Sequence, residues 1–188
     1  MTKSPTPADI RKNVERNALA IGQITMQWTT IQVAISYLFR RLSGLDKTRA
    51  ETIFFGVRSD TNQREMTLAL ARTVLKGEPE LLARLDKVFD RIGRYSGERN
   101  AAAHALWVVK MPEGRVMPYP TVGHHRRLKV DDHEKQFERL LSNLSKVFRE
   151  LLLLDAELAR IAAKPTARKV DASTPDTIEA NLGSIREP

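Results

Sequence analysis

The sequence predicts an all-α fold, an antiparallel helical bundle of four main helices with a small β-hairpin inserted before the last one. Three observations predict it. Apolar residues recur at intervals of three, four and seven in two long stretches, one near the start of the chain and one beyond residue 131. Glycines at 44 and 77 stand where the helical period breaks. Between residues 106 and 120 the pattern changes to two short β-prone runs around a Pro-Glu-Gly turn.

Residues 1–12 are polar and read as a flexible N-terminus. The first long helix shows its stripe at Val14, Ala18, Ile21, Trp28, Ile31, Ile35, Leu38 and Leu42, and Gly44 ends it. A short helix is expected from Asp46. Another follows "RSD", with Ser59 or Asp60 as its cap and Gly77 as its stop. Pro79 opens the next, at the one helical position proline tolerates, and its core stripe is Leu82, Leu85, Val88, Phe89 and Ile92. After the hairpin, whose second strand is limited by Pro118, Asp131 or Asp132 caps a final long helix. Its stripe runs from Phe137 through Leu140, Leu144, Val147, Leu151, Leu154 and Leu158 to Ile161, making it the core partner of the first helix. Residues 13–163 thus form the bundle domain. Residues 164–188, rich in Pro, Thr, Ser, Asp and Glu, have the composition of a disordered tail.

The chain of 188 residues is long enough to bury a core without staples. Its lack of cysteine excludes disulfides, thiolate nucleophiles and cysteine zinc sites, and suits a reducing compartment. With no secretory signal at its start and no apolar run near the ~20 residues of a membrane span, no membrane contact and a cytoplasmic location are expected. Lys and Arg number 31 against 23 Asp and Glu, and residues 1–50 hold eight of the basic side chains against three acidic ones. This excess favours polyanions such as RNA without selecting one.

The chemistry-bearing stretch is "GERNAAAHALWVV", Gly97 to Val109. Arg99 stands seven residues beyond Ile92 and fourteen beyond Leu85, on the core stripe where another leucine would be expected. Gly93, Gly97, Asn100 and His104, spaced four, three and four, share a second face. Two glycines in a helix cost ~1 kcal/mol each relative to alanine, a penalty that close approach of another backbone or a ligand would explain. In a straight helix Arg99 and His104 point ~140° apart. They serve one substrate only if the helix ends between them or a second copy of the chain supplies half of the site. The purely structural alternative pairs Arg99 with Glu98 or Asp90, caps the helix with Asn100 and buries His104.

"RNAAAH", Arg99 to His104, resembles the R-x4-H motif of the HEPN superfamily, small helical domains of prokaryotic toxin–antitoxin and RNA-targeting defence systems. Asn100 matches the polar residue usual after the arginine. The resemblance is specific over these few residues and loose over the helical scaffold. It implies a metal-independent endoribonuclease with Arg99, Asn100 and His104 as catalytic residues, no cofactor, RNA as substrate, a homodimer in which both motifs face one cleft, and an antitoxin protein as a further partner. The residue types fit the chemistry. Cleavage through the RNA 2′-hydroxyl needs a group that moves protons near neutral pH, which histidine supplies, and a fixed cation beside the phosphate, which arginine supplies. Gly93 and Gly97 are the expected dimer face.

Elsewhere, "GHHRRLK" gathers His124, His125, Arg126, Arg127 and Lys129 into a basic loop expected to bind RNA phosphates. Its adjacent histidines point apart on a strand and chelate a metal poorly, so no metal site is expected. His133 reads as a surface residue at a helix start, and Trp28 and Trp107 as core. A catalytically inactive HEPN-like module for dimerisation or RNA binding is the second reading, and a helical scaffold with Arg99 in a buried ion pair is the third.

Overall fold

The computed structural model of the chain describes residues 4–119, 128 and 132–163. The segment 164–188 and the basic-loop residues His124, His125, Arg126, Arg127 and Lys129 lie outside the described residues. In chain order the elements are α1 (Pro7–Ser43), α2 (Lys47–Gly56), α3 (Asp60–Val74), α4 (Pro79–His104), the strands β1 (Trp107–Lys110) and β2 (Arg115–Pro118), and α5 (His133–Ala163). The fold is all-α with a small antiparallel hairpin before the last helix. Among the described residues, no helix is long and apolar enough to cross a membrane.

Helix α1 starts earlier than the apolar stripe indicates. Residues 7–12, placed by the sequence in a flexible N-terminus, are helical. Local chemistry explains it: the Thr6 hydroxyl accepts from the Asp9 backbone N–H at 3.2 Å, the Thr6 N–H donates to Asp9 Oδ2 at 2.9 Å, and Pro7 takes the first turn. The Thr6 hydroxyl also donates to Asp9 Oδ2 at 2.7 Å, and this bond, with that from the Thr6 N–H, holds the Asp9 carboxyl below the usual carboxylate range. The next turns bury Asn17 rather than Val14, which is 43 % exposed. This face of α1 meets the hairpin backbone, and Asn13 Nδ2 donates to the Gly114 carbonyl at 3.0 Å.

Consecutive helices alternate in direction, and α2 counts as one of the reversals. It returns the chain from Gly44, stacks Phe54 against Phe39 with ring centroids 5.8 Å apart, and delivers Asp60 to the level of Trp28. The consequence is that α5 runs parallel to α1. Arg16 meets Glu134, Gln27 meets Ser145 and Arg41 meets Asp155, in rising order on both helices. Asp155 raises the Arg41 guanidinium above its usual value through that hydrogen bond. This parallel pair forms the most extensive interface between elements among the described residues. Helix α4 runs antiparallel to α5, with Arg84 on Glu157 at 2.6 Å and Arg91 on Glu150.

The core consists of most of the expected stripes, but Val14 and Ala18 are exposed, and on α4 Leu81 is buried while Leu82 is only partly so. Trp28, Ile31, Ile35, Leu38 and Leu42 of α1 face Phe137, Leu140, Leu144, Leu151 and Leu154 of α5, with Leu85, Val88 and Ile92 of α4 completing it. His133 departs from expectation. It is 2 % exposed, its ring 5.3 Å from that of Trp107 and 5.8 Å from that of Phe137, because the hairpin folds Trp107 over the first turn of α5.

In the hairpin, Trp107 pairs with Pro118 and Lys110 with Arg115, and beyond Pro118 the Tyr119 N–H donates to the Leu106 carbonyl at 2.6 Å. Gly114 closes the turn at φ 62°, and a Cβ there would lie 2.8 Å from Pro5 Cγ. Gly114→Ala is expected to destabilise the fold by about 1–3 kcal/mol, from left-handed backbone strain and displacement of the α1 start. Equal urea midpoints for the variant and the parent would show that the hairpin tip is not anchored there.

Candidate active site

Helix α4 carries the motif at its last turns. It runs unbroken through His104, with the Ala105 N–H donating to the Ala101 carbonyl at 3.0 Å before the chain turns extended into β1. The helix therefore does not end between Arg99 and His104, and the ~140° between them applies within one chain. Asn100 does not cap the helix, since the cap position is Ala105.

Arg99 continues the core stripe and is half-buried. Its Cζ lies 5.5 Å from the Trp28 ring centroid, a cation–π stack, and its Nη1 donates to Asn100 Oδ1 at 2.8 Å. Its Nε is buried without a hydrogen-bond partner among the described residues. The acids proposed to neutralise it are occupied or turned away: Glu98 faces Arg139 at 3.8 Å and Gln136 at 3.4 Å, and Asp90 lies exposed on the other side of α4. Among the described residues, no carboxylate forms an ion pair with Arg99. The guanidinium is held in place by an aromatic face and an amide, with no carboxylate among the described residues to compensate its charge.

Trp28 is itself fixed. It is 1 % exposed and its Nε1 donates to Asp60 Oδ2 at 2.8 Å, while Gln32 Nε2 donates to the other oxygen of the same carboxylate. A chain of contacts thus runs from the first turn of α3 through α1 to the motif arginine. Nothing in the six-residue pattern announces Trp28 or Asp60 as supports. The available signal was on α3, whose inward positions Gln63, Arg64 and Thr67 are polar at core spacing.

His104 is exposed at the end of α4, beside the half-exposed Leu106. Arg99 donates to Asn100, and His104 lies one turn beyond Asn100 on that residue's face of the helix, apart from the inward-turned Arg99. Gly93 is exposed, with open space where a Cβ would stand, and Gly97 is half-buried one turn on. The basic-loop residues His124, His125, Arg126, Arg127 and Lys129 lie outside the described residues. Among the described residues, no group of three or more His, Asp or Glu side chains gathers to hold a metal ion. Comparison of the chain with known protein families, with characterised proteins and with solved structures finds no match.

Proposed function

We propose that the protein is a HEPN-like, metal-independent endoribonuclease that acts as a homodimer in the cytoplasm, as the toxin of a two-gene toxin–antitoxin or defence system. The observation that carries this reading is Arg99: an arginine on a core stripe, packed on Trp28 and oriented by Asn100, with no carboxylate neutralising it among the described residues. A structural arginine at such a position would have a counter-anion, because a partly buried guanidinium without one loses hydration for no return. An RNA phosphate is the counter-anion that fits the motif, the basic charge balance and the exposed His104 beyond it.

In the reaction, His104 removes the proton of the 2′-hydroxyl as the oxygen attacks the adjacent phosphorus. The bond to the 5′-oxygen breaks, leaving a 2′,3′-cyclic phosphate, and a proton returns to the leaving oxygen. Arg99 offsets the charge that builds on the phosphate oxygens. Asn100 holds the guanidinium fork in register. The ~140° between the two side chains is relieved when the site is composite, the arginine of one protomer serving the phosphate beside the histidine of its partner. The face at Gly97 lets the two helices approach closely about a two-fold axis.

This makes a definite expectation for mixing. Arg99→Ala and His104→Ala variants, each inactive alone on mixed RNA in the presence of a chelator, should regain about a quarter of the parent activity when mixed equally, since half the dimers then hold one intact site of two. An inactive mixture beside an active parent protein would sink the composite site. A parent protein that leaves RNA intact in chelator would sink the nuclease reading altogether.

A further inference from the structure

Helices α3 and α4 do not close against each other along their whole length. Between them lies a cleft of about 410 Å³, with Leu68 and Phe89 as its apolar wall. Arg64 is the most buried charged group in its lining, 9 % exposed, and its Nη2 donates only to Thr61 Oγ1 at 3.2 Å. Loss of hydration lowers the Arg64 guanidinium below its usual value, with partial compensation from the charges of Asp60 and Glu65. Asp60 is committed elsewhere, accepting from Trp28 and Gln32. Glu65 and Asp90 stand exposed at the rim, where solvent screens them, and the exposed Arg94 stands with them. The cleft therefore has a desolvated positive charge at its back with no ion-pair partner among the described residues, while its negative charges lie in water.

We infer that this cleft is a second phosphate-binding site, in which Arg64 and Arg94 hold a backbone phosphate of the same RNA strand whose neighbouring linkage is cut at the end of α4. It rests on the reading of RNA as the ligand. Gly93 lies on the α4 wall of the cleft and His104 is eleven residues further along the same helix, ~16 Å at 1.5 Å per residue. In the proposed dimer the Gly97 contact occupies the middle of that face, so a strand seated on Arg64 follows the edge of the contact to reach His104. The planar guanidinium forks suit phosphate oxygens, and the glycine at 93 leaves the approach clear of side chain.

The test uses an all-deoxy oligonucleotide, which lacks the attacking hydroxyl, so that binding is read apart from cleavage. Arg64→Met keeps the volume and removes the charge. It should weaken oligonucleotide binding about tenfold or more, as loss of a charged hydrogen bond does, and Arg94→Gln should weaken it by a smaller factor in the same direction. Inorganic phosphate should raise the melting temperature of the parent protein and not that of Arg64→Met. Without phosphate, Arg64→Met should melt no lower than the parent, because a charge with no partner has been removed. Equal binding by parent and Arg64→Met, or a variant that unfolds or melts several degrees lower without phosphate, overturns the site and marks Arg64 as structural. Cleavage by the parent with binding indifferent to Arg64 leaves the nuclease reading standing without the cleft. Binding that depends on Arg64 in a protein that never cleaves RNA leaves the cleft standing without the nuclease.

Discussion

Replacing His104 by alanine should lower the rate of RNA cleavage by about 10²–10⁴-fold, the range that a positioned proton-transfer group supplies. The fold should not change. His104 is an exposed side chain at the final position of α4 with little core volume to lose, so its replacement should cost no more than about 1 kcal/mol. The pairing of a large kinetic effect with a little-changed urea midpoint is what separates a catalytic histidine from a structural one. His133 makes the natural control. It lies 2 % exposed between Trp107 and Phe137, so His133→Ala should instead reduce stability through lost packing, with the residual folded protein still cutting RNA. Cleavage by His104→Ala at the parent rate would remove His104 from the chemistry.

Trp28→Ala should cost about 3–5 kcal/mol of stability, the usual penalty for deleting a large buried aromatic side chain. Trp28 is 1 % exposed, and its loss leaves three things unsupported: the cavity between α1, α4 and α5, the Asp60 carboxylate that accepts from its Nε1, and the Arg99 guanidinium stacked on its ring. Trp28→Phe separates them. It retains an aromatic face beneath Arg99 and loses the indole N–H, while Asp60 still accepts from Gln32. The phenylalanine variant should therefore lose less stability than the alanine variant and keep more of the cleavage activity at a temperature where both are folded. Denaturant midpoints that place Trp28→Ala within 1 kcal/mol of the parent would show that the packing around the ring is not what holds α1 to the motif helix.

These two residues also divide what was legible in the chain from what was not. The stripe of α5 from Phe137 to Leu158 is buried as its spacing requires, since a period near 3.6 has one way to face a core. Arg99 was legible for the same reason, as the position after Leu85 and Ile92 on a buried stripe, and it lies inward on Trp28. The hairpin was legible from its two β-prone runs and the turn between them. The start of α1 was misplaced because caps, not apolar period, set it: Thr6, Pro7 and Asp9 outweigh the polarity of residues 7–12.

By itself, then, the sequence determined the helices, the hairpin, the inward turn of Arg99 and the outward end at His104, because each depends on near neighbours along one element. Only the tertiary structure decided the rest. The ten-residue α2 adds one reversal, which sets α5 parallel to α1 and puts the first turn of α3 beside Trp28. That placement brings Asp60 to the tryptophan, leaves Arg64 at the back of the cleft against α4, and buries His133 under Trp107. These contacts join residues about 25 or more positions apart, and a side chain's loss of water depends on which distant element covers it, a quantity that periodicity along one helix does not carry.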